Sequence, residues 1–488
     1  MTDQTVEATD LALPAGIESH SIDFISAAER HGTPTKQALF WFMPNFNFFS
    51  IALGFVGPSL GLSMLWSIVA GVLGMVFGSF FMGFHASQGP QLGLPQMIQS
   101  RAQFGYLGVV VPTAAVILTF MVFNVLDLKV LEDGTNGLYG INKTAVVIIG
   151  SLVAAALAIY GHDLLHKVFR VLFWVSVPAY LILTIGIVAG GVHATHAASG
   201  GFVASAFMAV FAVSASYNIT LAPDVSDYTR YLPEKTGTAR VIVAVTGGAS
   251  LSAVWLMAMG SWLAIRMGAT DGLVGLHSAG NDVFRGLGSL LAVLSIIGLV
   301  TVVGINTYSA VIGVATVSDS FRPVNPTAKL RIVITVALLV IWVAVTVGLR
   351  GDQSTLINNM LAILLYLLVP WTAVNLVDFF FVRRGHYAIT EIFDRDGLYG
   401  RWGWRGLTAY FVALAAEVPF MVLSFYKSPG SKALSNIDIA FVVGLAVAAV
   451  VYLILARSLD LDAEAAIVRR SDEELDRGIN PELPAYRH

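Results

Sequence analysis

Apolar residues run along this chain in blocks of about twenty, separated by short polar segments. Twelve blocks can be marked, at about 38–61, 64–84, 106–130, 144–160, 171–191, 202–222, 239–265, 288–317, 331–349, 355–382, 405–426 and 437–457. A helix of about 20 apolar residues crosses a hydrocarbon core of about 30 Å. Strands are excluded, because open sheet edges cannot sit in lipid. A large barrel would show alternating ten-residue segments in place of continuous apolar runs. The pattern predicts an all-α polytopic membrane protein with 12 transmembrane helices.

Two blocks break the pattern. Span one reads WFMPNFNFFSIALGFVGPSLG over residues 41–61, with Pro44, Asn45, Asn47 and Ser50, then Gly54, Gly57, Pro58 and Gly61. Span six contains Ser214, Ser216, Tyr217, Asn218 and Thr220 ahead of Pro223. If spans one to five and six to ten are two copies of one unit, five being odd, the second copy inserts upside down. The two most interrupted spans then open the two copies. Interrupted helices in corresponding places point to a transporter's binding site, because unwound backbone at membrane depth is tolerated where it is buried or lines a cavity. The third span of each copy adds a match: Asn124 in span three and Asn306 in span eight stand in apolar surroundings. An Asn offers one acceptor oxygen and two donor hydrogens, which suits the edge of a planar ring bearing amides. The plain alternative is helix packing, in which small and polar residues join helices without any ligand. Phe48, Phe49, Phe120 and Tyr217 are core aromatics on that reading and ring stackers on the other.

Composition agrees with the span count. The 488 residues are 56% hydrophobic and 12% charged, with mean hydropathy +0.75, against roughly 25% charged in soluble domains. With the N-terminus inside, 21 of the 28 Lys and Arg residues fall in cytoplasmic segments, so both termini are expected in the cytoplasm of a cell whose inner (plasma) membrane holds the chain. The net charge of −3 gives no reason to expect nucleic acid, and with no Cys there is no disulfide framework or thiolate chemistry. Residues 1–37 are polar and acidic, without a charged-then-apolar pattern, so no signal peptide is expected there. The expected layout is a cytoplasmic segment 1–37, a first repeat 38–192, an inverted second repeat 201–382, a loop with spans eleven and twelve over 383–457, and a cytoplasmic tail 458–488. Monomer or weak oligomer are both compatible with it. The partners expected are a small heterocyclic substrate, a coupling cation and membrane lipid.

Seven short stretches, in order, resemble the nucleobase:cation symporter-1 family of cytosine, purine and related permeases. They are GIESHSIDFISAAERHG (16–32), GPQLGLPQMIQSRAQFG (89–105), IYGHDLLHKVFR (159–170), SDYTRYLP (226–233), LVPWTAVNLVDFFFVRRGHY (368–387) with DGLYGRWGWRG (396–406), and EVPF (417–420). The resemblance implies a LeuT-type core of two inverted five-helix repeats plus two peripheral helices. It implies substrate contacts from helices one, three, six and eight, no cofactor, and a coupling cation, H+ or Na+. Carried over, Asn124 matches the substrate-binding Asn of helix three, Asn306 the helix-eight Asn that reads the base, and Phe48, Phe49 and Ser50 a Phe-Phe-Ser stretch of helix one. Many members sandwich the ring between two Trp residues; Phe120 and Leu221 stand at those positions here, with Tyr217 one turn before Leu221. Ile305 replaces a common Pro. These departures leave room for hydantoin, allantoin or a thiamine precursor in place of a standard nucleobase.

For the cation, sodium-coupled relatives use carbonyls of helix one and hydroxyls of helix eight. Thr301 stands near that place, but Val300 is where a Ser would help. A proton needs an ionisable group, and the candidates are Asp127, Glu417 and Asp378. Asp127 has Lys129 close by as a possible solvated partner, Glu417 lies in peripheral span eleven, and Asp378 borders Arg383 and Arg384 at an expected interface. His162, Asp163 and His166 read as part of a positive-inside loop, and Asp227, Arg230 and Tyr231 as pairs bracing helix six. An intramembrane enzyme would need clustered His or acids at facing depths, a channel a polar stripe or charged ring, and a receptor a signalling domain; none is visible.

Overall fold

The computed structural model describes residues 24–160, 162–197, 200–322 and 327–478. Residues 16–23 of the resembling lead-in, and the side chains of His162, Asp163 and His166, lie outside the described residues.

Each of the twelve apolar blocks contains a helix, and in the block at 405–426 it ends by Phe420. Span one is Pro34–Asn45, bent by 63° into Phe48–Ser59. Spans two to five are Met64–Leu92, Val110–Tyr139, Lys143–Tyr160 and His162–Val188. Span six is Ala204–Ile219 followed by Ala222–Thr229. Spans seven to twelve are Thr238–Arg266, Leu287–Phe321, Ala328–Gly348, Gln353–Val377, Trp404–Glu417 and Ala440–Ala456. Spans eleven and twelve are short, at 14 and 17 residues. Span twelve then turns through 91° into Leu461–Asp476, whose charged residues keep it out of lipid. Span six differs from the expectation in degree: its two pieces form one nearly continuous span, whereas span one is sharply broken.

Span two packs against spans six and seven, span one against span seven, and span three against span eight. Small residues set these distances. A methyl group at Gly54 would collide with the carbonyl oxygen of Met257, and one at Gly260 with that of Ile51. Spans one and seven therefore touch backbone to backbone, as small residues allow in lipid. Gly61 has another role: its φ of +78° makes a turn, and a side chain there would meet nothing.

Two features were not legible as apolar blocks. Gln96–Gln99 and Arg101–Phe104 lie between spans two and three, and Gly272–Val283 lies between spans seven and eight. They occupy the same place in the order of the two five-span sets. Gly272–Val283 starts where Asp271 Oδ1 accepts the N–H groups of Leu273 (2.7 Å) and Val274 (3.1 Å).

Asp378 is not solvated. It is fully buried and sits at the centre of a polar network. Its carboxyl accepts Arg383 Nη1 (2.7 Å), Tyr452 OH (2.8 Å), Tyr387 OH (2.7 Å) and Gln103 Nε2 (2.8 Å). Arg383 continues to Glu464 at 2.9 and 3.1 Å, on the helix after span twelve. Gln103 accepts from Asn375, which in turn accepts from Gln88. Four donors, one of them a guanidinium, make burial of this carboxylate tolerable. Glu417 is also buried, packed against Gly444, and neither of its oxygens has a hydrogen-bond partner among the described residues.

Asp378→Ala strands Arg383, Tyr387 and Tyr452. Removing one partner of a buried ion pair costs about 3–5 kcal/mol, so the Tm of the detergent-purified protein should fall by about 5 °C or more. An unchanged melting curve would show that the network is not structural.

Candidate functional site

The break in span one is built from its own polar residues. Span one's first piece ends at Asn45, and Asn47 caps the second by accepting the Phe49 N–H at 2.7 Å. Asn47 Nδ2 donates to the Pro44 carbonyl and, at 3.1 Å, to the Tyr217 hydroxyl. Ser50 Oγ donates to the Asn45 carbonyl at 2.6 Å and lies 3.0 Å from that same hydroxyl. The Asn45 amide donates to Asn218 Oδ1 at 2.6 Å and to the Ala249 carbonyl at 3.0 Å. Asn218 then donates to Ser79 Oγ at 2.7 Å. One chain of amides thus ties spans one, six, seven and two together at the break.

A small cavity of about 30 Å³ lies beside it, room for a water molecule or two. Its walls are Phe40, Trp41, Pro44, Asn45 and Asn47 of span one, Phe123 and Asp127 of span three, Tyr217, Leu221, Asp224 and Tyr228 of span six, and Val302, Ile305 and Asn306 of span eight. Asn306 Nδ2 donates to Asp127 Oδ2 at 3.2 Å, and Ser309 Oγ to Asp224 Oδ2 at 2.8 Å. Lys129 does not pair with Asp127; it turns to Glu132 (2.5 Å) and Asp133 (3.7 Å). The indole Nε1 of Trp41 is buried without a hydrogen-bond partner among the described residues.

A vestibule of about 720 Å³ adjoins the cavity, walled by the starts of spans one and five and the end of span six. Phe40 and Tyr228 line both spaces. Their rings lie 4.5 Å apart between centroids, and each meets Trp41 edge-on at 5.1 and 5.4 Å. This aromatic cluster is the partition between vestibule and cavity. Asp227, Arg230 and Tyr231 brace the end of span six: Asp227 Oδ1 accepts the Gln96 N–H at 2.9 Å, Arg230 donates to the Asp227 carbonyl at 3.1 Å, and its guanidinium lies 5.2 Å from the Tyr231 ring.

Of the residues singled out from sequence, Asn45, Asn47, Tyr217, Asn306 and Asp127 stand on the cavity wall. Phe49 lies behind Phe123 and Tyr217, at 5.9 and 5.6 Å. Phe120 is buried off the wall. Asn124 donates to Thr307 at 3.1 Å, Ser216 to the Leu361 carbonyl at 2.6 Å, and Thr301 to the Ile297 carbonyl at 2.8 Å within its own helix. On span three it is Phe123 and Asp127, one turn beyond Phe120 and Asn124, that meet the cavity. Asp224 and Trp41 were not singled out. Asp224 is the residue after the helix-six Pro223, which is the available signal. Among the described residues, no group of three His, Cys, Asp or Glu residues is placed to hold a metal.

Comparison with known proteins follows this geometry. A family model described as "Permease for cytosine/purines, uracil, thiamine, allantoin" matches residues 24–444. The chain is 32% identical over 442 residues to YxlA of Bacillus subtilis (strain 168), a purine-cytosine permease by name, covering 90% of this chain and 96% of that one. It is 28% identical over 378 residues to the vitamin B6 transporter TPN1 of Saccharomyces cerevisiae, covering 72% of this chain and 63% of the relative. The structure of Mhp1, a nucleobase-cation-symport-1 family transporter in a closed conformation with bromovinylhydantoin bound, superposes with a TM-score of 0.69 at 19% identity, covering 92% of this chain and 98% of Mhp1. The shared fold is the LeuT-type transporter fold, and the polar broken span, the cavity beside it and the family match over most of the chain lead to one conclusion: this multi-pass membrane protein belongs to the family of permeases for cytosine and purines, uracil, thiamine and allantoin.

Proposed function

We propose that the chain imports a nucleobase or related planar N-heterocycle by cation symport, with alternating access around the cavity between spans one, three, six and eight. The observation that carries this reading is the cavity itself. It combines aromatic walls, amides and carboxyls at the break of span one, beside a much larger vestibule. In this reading Asn306, Asn47 and Tyr217 contact the substrate. Asn45 and Ser50 hold the break open. Phe49, Phe120, Asn124 and Ser216 support the walls from behind. The Lys and Arg bias supports a cytoplasmic position for both termini, and hence for the vestibule. Because the cavity holds no more than a water or two, substrate entry requires the Phe40–Tyr228 partition or the outer wall to move. A heterocycle other than a standard nucleobase is the second reading. It is favoured by Leu221 on the cavity wall, where a stacking Trp would grip a base.

The proposed coupling ion is H+. Thr301 spends its hydroxyl hydrogen on its own helix and has Val300 as neighbour, while two carboxyl groups reach the cavity. Intramembrane acids are the usual proton relays.

Two outcomes are expected. In cells lacking their own permeases, wild type should accumulate labelled cytosine, or another member of a panel of purines, uracil, hydantoins and thiamine-precursor pyrimidines. Asn306→Ala, which removes the donor to Asp127, should lower that uptake about tenfold or more. No accumulation of any panel member would overturn the transport reading. A protonophore should abolish uptake while replacement of Na+ leaves it unchanged; the opposite pattern would assign the coupling to Na+.

A further inference from the structure

The vestibule of about 720 Å³ carries charge of one sign. Lys36 of span one, Arg170 of span five and His31 ahead of span one line it, and no acidic residue does. Lys36 and Arg170 are exposed. Among the described residues neither enters an ion pair, whereas Lys129, Lys143, Arg101 and Arg383 each do. Lys36 stands in the first turn of Pro34–Asn45, which holds no acidic residue, so the helix dipole adds to the local positive potential. The remaining wall is mostly apolar, with Leu39 and Met43 from span one and Phe169, Phe173 and Trp174 from span five. Leu39 is 53% and Trp174 71% exposed, so this wall runs out onto the surface that two apolar spans present to lipid. Trp residues of spanning helices concentrate at headgroup level, and Trp174 shares its space with the two cations.

We infer that the vestibule binds one anionic phospholipid of the cytoplasmic leaflet, its phosphate on Lys36 and Arg170 and an acyl chain along Phe169, Phe173 and Trp174. The side of the membrane rests on the Lys and Arg bias used above; the binding does not depend on what the chain transports. Basic pockets between spans on the cytoplasmic side attract anionic headgroups, and a guanidinium meets a phosphate in charge-assisted hydrogen bonds. Both halves of the lipid are needed. A soluble phosphate satisfies the two cations yet leaves the apolar wall against water, which is unfavourable. A zwitterionic lipid covers the wall yet brings a cation of its own toward Lys36 and Arg170. An anionic lipid meets both requirements. Seated there, its chain backs the Phe40–Tyr228 partition, whose residues line the same space.

The test counts lipids on the detergent-purified full chain by native mass spectrometry, with phosphatidylglycerol and phosphatidylcholine of identical acyl chains offered in equal amounts. Wild type should retain one phosphatidylglycerol with a preference of about tenfold or more. Lys36→Gln combined with Arg170→Gln should abolish that preference. Lys235→Gln combined with Arg240→Gln, which removes two exposed cations outside the vestibule, should keep it. Trp174→Ala leaves the charges in place and should lower phosphatidylglycerol retention about threefold or more. Equal retention of the two lipids by wild type would overturn the inference. So would a preference that survives the loss of Lys36 and Arg170, or one that the Lys235 and Arg240 control loses equally. Glycerol phosphate and a nucleoside monophosphate should not displace the lipid at equal concentration; displacement by either would assign the two cations to a soluble phosphate and overturn the lipid assignment. Melting curves check that each variant is folded. Should the Lys36 and Arg170 variant not fold, the wild-type ratio and Trp174→Ala decide the matter. Uptake enters none of these readouts, so failure of the transport reading and failure of this inference are told apart.

Discussion

A helix that stops inside a bilayer leaves N–H and C=O groups with no water to take them. That constraint organises this protein. Span one stops at Asn45 and restarts at Phe48, and the gap is closed by side chains of the break itself. Asn47 caps the new helix, Ser50 reaches back to the Asn45 carbonyl, and the Asn45 amide crosses to Asn218. The last contact matters most for architecture, because Asn218 lies just before the interruption of span six. Two weak points in two helices are stabilised by each other.

Close backbone approach makes this possible. Gly54 and Gly260 let spans one and seven meet without intervening side chains. Gly74 and Gly78 do the same between spans two and six, where a methyl group would strike the carbonyls of Phe211 and Ala215. Without a hydrophobic force between helices in lipid, such packing and the interhelical hydrogen bonds supply the association. The rigid wall formed by spans two, six and seven fixes one side of the cavity, and spans three and eight supply the other through Asp127 and Asn306.

The two polar systems are separate in place and in chemistry. Around Asp378, four donors, Arg383 among them, satisfy one carboxylate completely, so that network holds structure together and links span ten to the helix after span twelve through Glu464. At the cavity, Asp127 receives one neutral amide donor, and Asp224 receives the Ser309 hydroxyl and lies in hydrogen-bond contact with Asp227. A fully satisfied group has nothing left to offer a ligand; an under-satisfied one does. Asn124 and Asn306 differ in place: the Asn124 amide donates to Thr307 off the cavity wall, with its own oxygen unpartnered among the described residues, whereas the Asn306 amide stands on the wall and donates to Asp127.

The helical apolar spans were legible in the sequence because lipid demands long apolar helices and little else, although among the described residues 9 to 11 helices, against the 12 expected, are long and apolar enough to cross a membrane. The polar interruption of spans one and six was legible for the same reason: an amide or a Pro in such a run is conspicuous. Position around a helix was not. Asn124 and Asp127 are three residues apart on a span with almost no polar face to orient it, so sequence could mark the region but not which side chain enters the cavity. Burial of Asp378 was equally hidden, since its four partners come from residues 103, 383, 387 and 452, brought together only by the packing of spans ten and twelve with two loops. Composition and periodicity determined the membrane fold, the broken span and the family resemblance, because these follow from local hydrophobicity and motif order. Tertiary structure decided which carboxyls are satisfied and which face the cavity, because that depends on donors distant in the chain.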